Sequence, residues 1–237
     1  MILKVGYKLE DIDFIKAEAK YYFEKVFAIQ VEECEWETSD LKLAVQENDA
    51  DLDQIHIELE QGRGSITSNS KVGILIALYR FFHEFGVRYV RPGKEQEMYP
   101  SLAEADFLEK EIHIEETASF KHRGVCIEGA DSYDNLKNFI DWLPKIGMNS
   151  FFIQFENPYS FFKRWYEHEF NPYAEKEPFS AEIAQEMSDL IDEEMKLRGI
   201  VHHRVGHGWT GEVLGYSSKY GWESGLTLPE EKKPLVA

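Results

Sequence analysis

Two acidic side chains follow neighbouring apolar runs in the second half of the sequence. Glu128 ends the run that begins near residue 122, and Glu156 follows the run that begins near residue 150. If both runs are strands of one parallel sheet, their carboxyl ends lie at the same edge. Cleavage of a glycosidic bond requires two carboxyl groups about 5–10 Å apart. The same pattern also fits carboxylates that only form hydrogen bonds at a site, and we favour that second interpretation.

Three histidines near residue 205 suggest metal chemistry. His202 and His203 are adjacent in a strand-like run, so they point to opposite faces and cannot bind one metal from the same side. The sequence has neither zincin spacing nor a nearby cysteine pair. We therefore expect no metal and no other cofactor. His207 is interpreted as a cleft residue that bonds a substrate or a catalytic acid, and Trp209 either stacks on a sugar or packs in its loop.

The sequence does not indicate phosphate binding, cysteine chemistry, or binding to nucleic acid or membranes. Gly62-Arg63-Gly64 lacks the Lys-Ser/Thr pair and the glycine spacing of a phosphate loop. Cys34 and Cys126 are the only cysteines, and both lie in apolar, strand-like runs, which predicts buried free thiols. The net charge of −18 repels phosphate backbones and anionic lipids, so we expect neither nucleic acid nor a membrane as partner.

Expectations about location come from the apolar segments. The first residues do not show a basic region followed by a long apolar stretch, so we expect no signal peptide. No run approaches the ~20 apolar residues of a membrane span. Together with the free thiols, these features predict a cytoplasmic protein.

The first half of the sequence predicts a mixed sheet with two helices. The clearest strand is 54–60, where apolar and polar residues alternate. Helical spacing predicts helices over 9–28 and 72–85, with Ser70 and Gly86 as the caps of the second. The other predicted strands cover 2–7, 31–37, 41–46, 87–90 and 111–115.

The second half alternates strands and helices. Apolar runs predict strands at 122–128, 150–155 and 200–205, separated by helices at 134–146 and 180–197. This order is typical of a parallel βαβαβ array. An aromatic insert, 158–179, either lines the cleft or forms a small core of its own, and we favour the core. Ser180 and Gly199 are the predicted caps of the last helix.

The fold class predicted for the whole chain is α/β. A small mixed-sheet α/β domain, 1–118, precedes the first three β/α units of a TIM-type (β/α)₈ barrel, 119–237. An eight-stranded barrel needs about 250 residues by itself. We therefore expect the barrel to be incomplete in this chain and the sequence to be truncated or cut at a domain boundary.

Motifs in the first half resemble a known kind of accessory domain. They are Gly64-Ser65-Ile66, Ser70-Lys71-Val72-Gly73-Ile74, the aromatic helix, and Phe85-Gly86-Val87-Arg88. In this order they resemble the N-terminal domain of family 20 β-N-acetylhexosaminidases and family 67 α-glucuronidases. That domain commonly precedes a catalytic barrel.

Motifs in the second half resemble the hexosaminidase barrel. His122-Arg123-Gly124-Val125-Cys126-Ile127-Glu128 resembles its first strand, and Lys145-Ile146-Gly147-Met148-Asn149 resembles the approach to its second. Arg198-Gly199-Ile200-Val201, running into Gly206-His207-Gly208, resembles the third. The resemblance therefore extends over nearly the whole chain and implies a carbohydrate substrate.

The resemblance also assigns roles to residues. It implies that Arg123 contacts sugar hydroxyls, which its planar guanidinium suits; the alternative is a structural ion pair inside the barrel. Two departures suggest a different sugar: Asp131 stands where the family has an arginine, and Gln154 and Asn157 stand where it has histidines and an aspartate. The predicted substrate-binding residues are Arg123, Glu128, Asp131, Gln154, Glu156, His207 and Trp209.

These expectations combine into one functional hypothesis with two alternatives. The family keeps its catalytic Asp-Glu pair at the end of the fourth strand, and no match to that pair occurs in this sequence. We expect the N-terminal portion of a glycoside hydrolase-like protein, hexosaminidase-like or glucuronidase-like, that is inactive as this chain alone. The alternatives are a non-catalytic carbohydrate-binding or scaffold protein, and an oligomerisation module that self-associates through the unfinished barrel.

Overall fold

The computed structural model describes residues 1–10, 13–128, 130–153, 158–168, 171–204 and 230–235. The chain forms two compact units. The N-terminal unit consists of Met1–Gly124, Asn138–Asn149 and Met195–Ile200. The C-terminal unit consists of Val125–Lys137, Ser150–Glu194 and Val201–Ala237. The domain boundary predicted after residue 118 stays a prediction.

The N-terminal unit is built on a six-stranded mixed sheet. Its strands are β1 (Ile2–Lys8), β2 (Gln30–Glu33), β3 (Leu41–Val45), β4 (Gln54–Glu60), β5 (Arg63–Ser68) and β8 (Ile112–Thr117). They lie in the order β2-β1-β3-β5-β4-β8. β1, β2, β3 and β5 are parallel, whereas β4 runs antiparallel to β5 and β8. A short pair, β6 (Arg88–Tyr89) and β7 (Glu97–Met98), forms a separate two-stranded sheet.

Three helices accompany this sheet: α1 (Asp13–Phe27), α2 (Lys71–Glu84) and α3 (Glu104–Glu109). The core contains apolar residues of alternate strand positions, such as Leu3, Val5 and Ile57, together with aromatic residues of α1 and α2. Tyr22 and Phe23 of α1 pack at ring distances of 5.2 Å and 5.0 Å against Phe82 of α2. The apolar surface of α2 is buried as its composition predicts.

The caps predicted for α2 are confirmed. The Ser70 hydroxyl accepts a hydrogen bond from the Gly73 amide at 3.0 Å, which satisfies a donor that the first helical turn leaves open. Gly86 follows the helix with φ of 95°, a conformation that favours glycine. The predicted strand 54–60 is also confirmed with its exact bounds.

Several elements of this unit were not predicted, among them β5, β7 and α3, which is a third helix where the sequence predicted two. β5 lies where the sequence suggests the end of a turn, because its run Arg63-Gly64-Ser65-Ile66-Thr67-Ser68 has one apolar residue and one glycine. Glycine is required there: a Cβ on Gly64 would lie 1.9 Å from the Glu58 carbonyl oxygen of the neighbouring strand. The predicted strand 31–37 is shorter, and a 3-10 turn, Trp36–Thr38, replaces its end.

The C-terminal unit contains a second, three-stranded sheet. β9 (Gly124–Ile127), β10 (Ser150–Ile153) and β11 (Val201–Arg204) lie in the order β11-β10-β9, and β10 and β11 are parallel. The helices are α4 (Tyr133–Trp142), α5 (Pro158–Tyr166) and α6 (Ala181–Arg198). α4 and α6 begin in this unit, and their last residues belong to the N-terminal unit. α5 lies in the predicted aromatic insert.

The caps of α6 agree with the sequence, but the prediction of buried thiols is wrong. Ser180 accepts a hydrogen bond from the Ile183 amide at 3.3 Å, and Gly199 has φ of 72°. Cys126 is exposed and Cys34 is half-buried. Cys34 lies just beyond β2, an edge strand, and Cys126 occupies an exposed position of β9.

Candidate functional site

The candidate site comprises the residues that follow the strands of the C-terminal unit. Glu128 comes directly after β9 and is exposed. Asp131 is buried and accepts hydrogen bonds from the Ser132 amide at 2.7 Å and the Asn135 side chain at 2.6 Å. Ser132 in turn accepts from the Asn135 amide. The carboxylate of Asp131 therefore stabilises the first turn of α4, where negative charge is favoured.

Four of the predicted site residues lie outside the described residues: Gln154, Glu156, His207 and Trp209. Their roles stay predictions. The pairing of Glu128 with Glu156 across neighbouring strands is untested for the same reason.

The two histidines of β11 have different environments. His202 Nδ1 lies 2.6 Å from Asp192 Oδ1, and the carboxylate fixes the orientation of the ring. His203 stacks on Phe152 of β10, with ring centroids 4.2 Å apart. Within the described ranges, no group of three or more histidines, cysteines and acids could hold a metal ion.

The aromatic insert supplies a small core. Phe161 and Phe162 of α5 are buried, and Tyr166 stacks on Phe179 at 5.0 Å. The Tyr166 hydroxyl accepts a hydrogen bond from the Tyr133 amide at 3.0 Å. These contacts agree with the interpretation that we favoured for the insert. Among the described residues of the insert, the exposed aromatics are Trp165 and Tyr173, at 45% and 96%.

Arg123 lies in the N-terminal unit, where its guanidinium donates hydrogen bonds to three of the described residues. It donates to Asp53 Oδ2 at 2.6 Å, to the Gly147 carbonyl at 2.7 Å and to the Phe120 carbonyl at 2.7 Å. The Asn149 side chain also donates to Asp53 Oδ2, at 2.8 Å. These are the contacts of a structural ion pair, which is the alternative that the sequence left open. That alternative placed the pair inside the barrel, whereas Asp53 lies in the N-terminal unit.

The electrostatics of Asp53 agree with that structural role. Burial raises the pKa of this carboxyl, but hydrogen bonds from Ser70, Arg123 and Asn149 outweigh burial and hold the pKa below its ordinary value. Asp53 is therefore ionised at neutral pH. No sequence pattern points to Asp53, because it lies 70 positions before Arg123 in a polar stretch without periodicity.

Within the described ranges, no helix is long and apolar enough to cross a membrane.

A comparison with family models gives no match, and neither does one with curated proteins. Among the solved structures that are similar to this chain are several glycoside hydrolases.

One is a mutant β-hexosaminidase of Streptomyces plicatus in complex with its product GlcNAc. The TM-score is 0.61 at 9% identity, over 85% of this chain and 41% of that chain. A GH20 β-N-acetylhexosaminidase of Streptomyces coelicolor gives 0.60 at 10% identity, with the same coverage. A GH138 enzyme targeting pectin rhamnogalacturonan II gives 0.51 at 13% identity, over 86% of this chain and 24% of that chain.

The likeness defines the class of fold. This chain has a mixed α/β fold like that of the GH20 β-hexosaminidases, as the sequence motifs imply. It spans 41% of the length of the two Streptomyces enzymes. Identities of 9–13% show the fold alone, and they transfer neither activity nor substrate.

Proposed function

We propose that this chain is the N-terminal portion of a glycoside hydrolase-like protein that acts on oligosaccharides or glycans. The supporting observation is the GH20-like fold over 85% of the chain, together with the order of the motifs. In this proposal β9, β10 and β11 are the first three strands of a (β/α)₈ barrel. Substrates of such barrels bind at the carboxyl ends of the strands.

The proposed sugar contacts are Glu128, Glu156 and His207, with Trp209 as a stacking platform and Gln154 as a further polar contact. Carboxylates, amides and imidazoles can bond several hydroxyl groups of one sugar ring. Asp131 is proposed as a weaker sugar contact, because both of its oxygens already accept hydrogen bonds at the start of α4. Arg123 is left out, because Asp53 and two carbonyls already occupy its guanidinium.

The catalytic carboxyls are proposed to lie in parts of the parent protein outside these 237 residues. The chain then supplies sugar binding without hydrolysis. A panel of aryl glycosides tests this assignment: we expect no turnover above that of buffer. Robust turnover by the chain would place a catalytic pair within it and would contradict the assignment.

The binding proposal is tested by calorimetric titration with N-acetylglucosamine, glucuronic acid and short oligomers of each. We expect at least one ligand to bind, and His207→Ala to weaken it about tenfold, the effect of one lost hydrogen bond of ~1.5 kcal/mol. His113→Ala is the control, because His113 lies on β8, outside the proposed site. Equal affinities of the two variants, or no binding by the unchanged chain, would count against the proposal.

A non-catalytic carbohydrate-binding or scaffold protein is the second candidate. It is favoured by Asp131, whose carboxylate stands at the family's arginine position and stabilises a helix. Turnover measured on the parent protein separates the two: hydrolysis supports the enzyme, and binding without hydrolysis supports the binder.

A further inference from the structure

A network of buried charges lies inside the N-terminal unit. The side chains of Lys145 and Glu97 are each 1% exposed, and Lys145 Nζ lies 2.6 Å from Glu97 Oε1. The same ammonium lies 2.5 Å from Asp141 Oδ2. Arg198 Nη2 lies 3.2 Å from the other oxygen of Asp141. One lysine thus joins two carboxylates, and one of these also binds an arginine.

Tyrosine hydroxyls and a second ion pair extend the network. Tyr22 and Tyr99 donate to Glu97 Oε2, at 2.7 Å and 2.5 Å. Nearby, Glu18 accepts from Tyr79 at 2.6 Å and from Lys94 at 3.0 Å. The three carboxylates of Glu18, Glu97 and Asp141 are thereby matched by the three cations of Lys94, Lys145 and Arg198.

The electrostatics of Asp141 show how closely these charges depend on one another. Burial raises the pKa of its carboxyl, but Lys145 and then Arg198 hold the pKa below its ordinary value. A buried charge whose partner is removed keeps its desolvation cost and loses the attraction that offsets it. The buried charges of Glu97, Asp141 and Lys145 are therefore stable there only while their partners are present.

The partners come from separate stretches of the chain. Glu18, Lys94 and Glu97 belong to Met1–Gly124, whereas Asp141 and Lys145 belong to Asn138–Asn149 and Arg198 to Met195–Ile200. Without the two later stretches, Met1–Gly124 would contain Glu97 but not Lys145, whose ammonium pairs with it. The network therefore joins the later stretches to the sheet unit.

Contacts other than ion pairs join the same stretches. Trp142 Nε1 donates to the Tyr89 carbonyl at 3.0 Å, and Trp142 and Ile146 pack against the core of the unit. The guanidinium of Arg198 lies 4.4 Å from the ring centre of Phe14. At Gly199, a Cβ would come within 3.0 Å of the Val72 amide, so the chain packs closely at the start of α2.

We propose that Met1–Gly124 is not an independent accessory domain and that Asn138–Asn149 and Met195–Ile200 are obligate parts of its folding unit. The interaction surface of the first stretch fits these two segments of its own chain, with the buried ammonium of Lys145 as the central contact. The three stretches end at Gly124, Asn149 and Ile200, which are the residues where β9 begins or after which β10 and β11 begin.

Hydrogen exchange of the full chain, followed by mass spectrometry, tests this proposal. We expect amides of 143–149 to exchange with the same free energy of opening as those of α2 and β4. Lys145→Met should speed exchange of all three groups together, on the order of 100-fold or more, and leave α5 unchanged. Lys137→Met is the control, because Lys137 of α4 is half exposed and its pair with Glu194 of α6, at 3.3 Å, should contribute little to stability.

Two results would overturn the proposal. One is exchange of 143–149 with a free energy different from that of α2 in the unchanged protein. The other is an effect of Lys145→Met restricted to 143–149, with α2 and β4 unchanged. If Lys145→Met does not fold, Trp142→Phe removes one hydrogen bond and should speed exchange in the same three groups by a smaller factor. These outcomes do not depend on sugar binding, so they are independent of the proposed function.

Discussion

The N-terminal unit and the strand ends of the C-terminal unit differ in what their charged side chains contact. In the N-terminal unit, Arg123 pairs with Asp53 and Lys145 with Glu97, across 70 and 48 positions of sequence. In the C-terminal unit, Asp131 bonds residues one and four positions later, and Glu128 is exposed. The charges of the first unit hold distant segments together. Those near the strand ends of the second stabilise a helix start or face solvent.

The largest effect is expected from breaking the buried pair of the N-terminal unit. Glu97→Gln leaves the Lys145 ammonium with one carboxylate and should lower the free energy of unfolding by about 3 kcal/mol or more. The measurement is chemical denaturation of Glu97→Gln, Lys145→Met and the double variant. We expect a strong coupling, with the double variant less destabilised than the sum of the two. Simple additivity would show that the pair does not act as one.

Substitution of Arg123 distinguishes its two interpretations, a structural ion pair and a sugar contact. Arg123→Ala leaves Asp53 buried with fewer donors, so we expect a loss of about 2–4 kcal/mol in the free energy of unfolding. Arg123→Lys should restore only part of it, since an ammonium cannot reproduce the forked contacts to Asp53, Gly147 and Phe120. Unchanged stability with lost sugar binding would instead support the substrate role implied by the resemblance.

The pH dependence of stability provides a further test of the buried carboxylates. The pKa values of Asp53 and Asp141 are lower in the folded chain than the ordinary 3.8. Their ionised forms therefore stabilise the fold above the unfolded-state pKa, and this contribution is lost as pH falls below about 4 through the folded values. Denaturation between pH 6 and pH 2 should show falling stability, with a shallower slope for Asp53→Asn. An equal slope in that variant would mean that Asp53 is not held ionised by the fold.

The smallest effect is expected in the C-terminal unit. Asp131→Ala removes two local hydrogen bonds at the start of α4 and should cost about 1 kcal/mol, the typical effect of losing a side-chain contact at a helix start. Thermal unfolding of Asp131→Ala and Asp131→Asn measures it, and Asn should keep part of the stability because its oxygen can still accept. A loss as large as that of Glu97→Gln would remove the contrast between the units.

Local patterns in the sequence predicted much of the fold. Alternation gave β4 its exact bounds, and Ser70 and Ser180 cap the predicted helices. β5 was missed because Gly64 and polar residues interrupt the alternation of apolar residues. Pairing with β3 on one side and β4 on the other makes this segment a strand. Of the predicted site, Glu128 and Asp131 follow β9 as expected. The partner of Arg123 was not predictable, because an ion pair across 70 positions leaves no periodic signal in one sequence.

The central contrast is between side chains that bind sugar and side chains that hold the fold. Calorimetric titration of N-acetylglucosamine and glucuronic acid into the unchanged chain, His207→Ala and Arg123→Lys compares them directly, at a temperature where all three are folded. We predict that Arg123→Lys retains the affinity of the unchanged chain while His207→Ala loses about tenfold. Retained affinity in His207→Ala with lost affinity in Arg123→Lys would contradict this account.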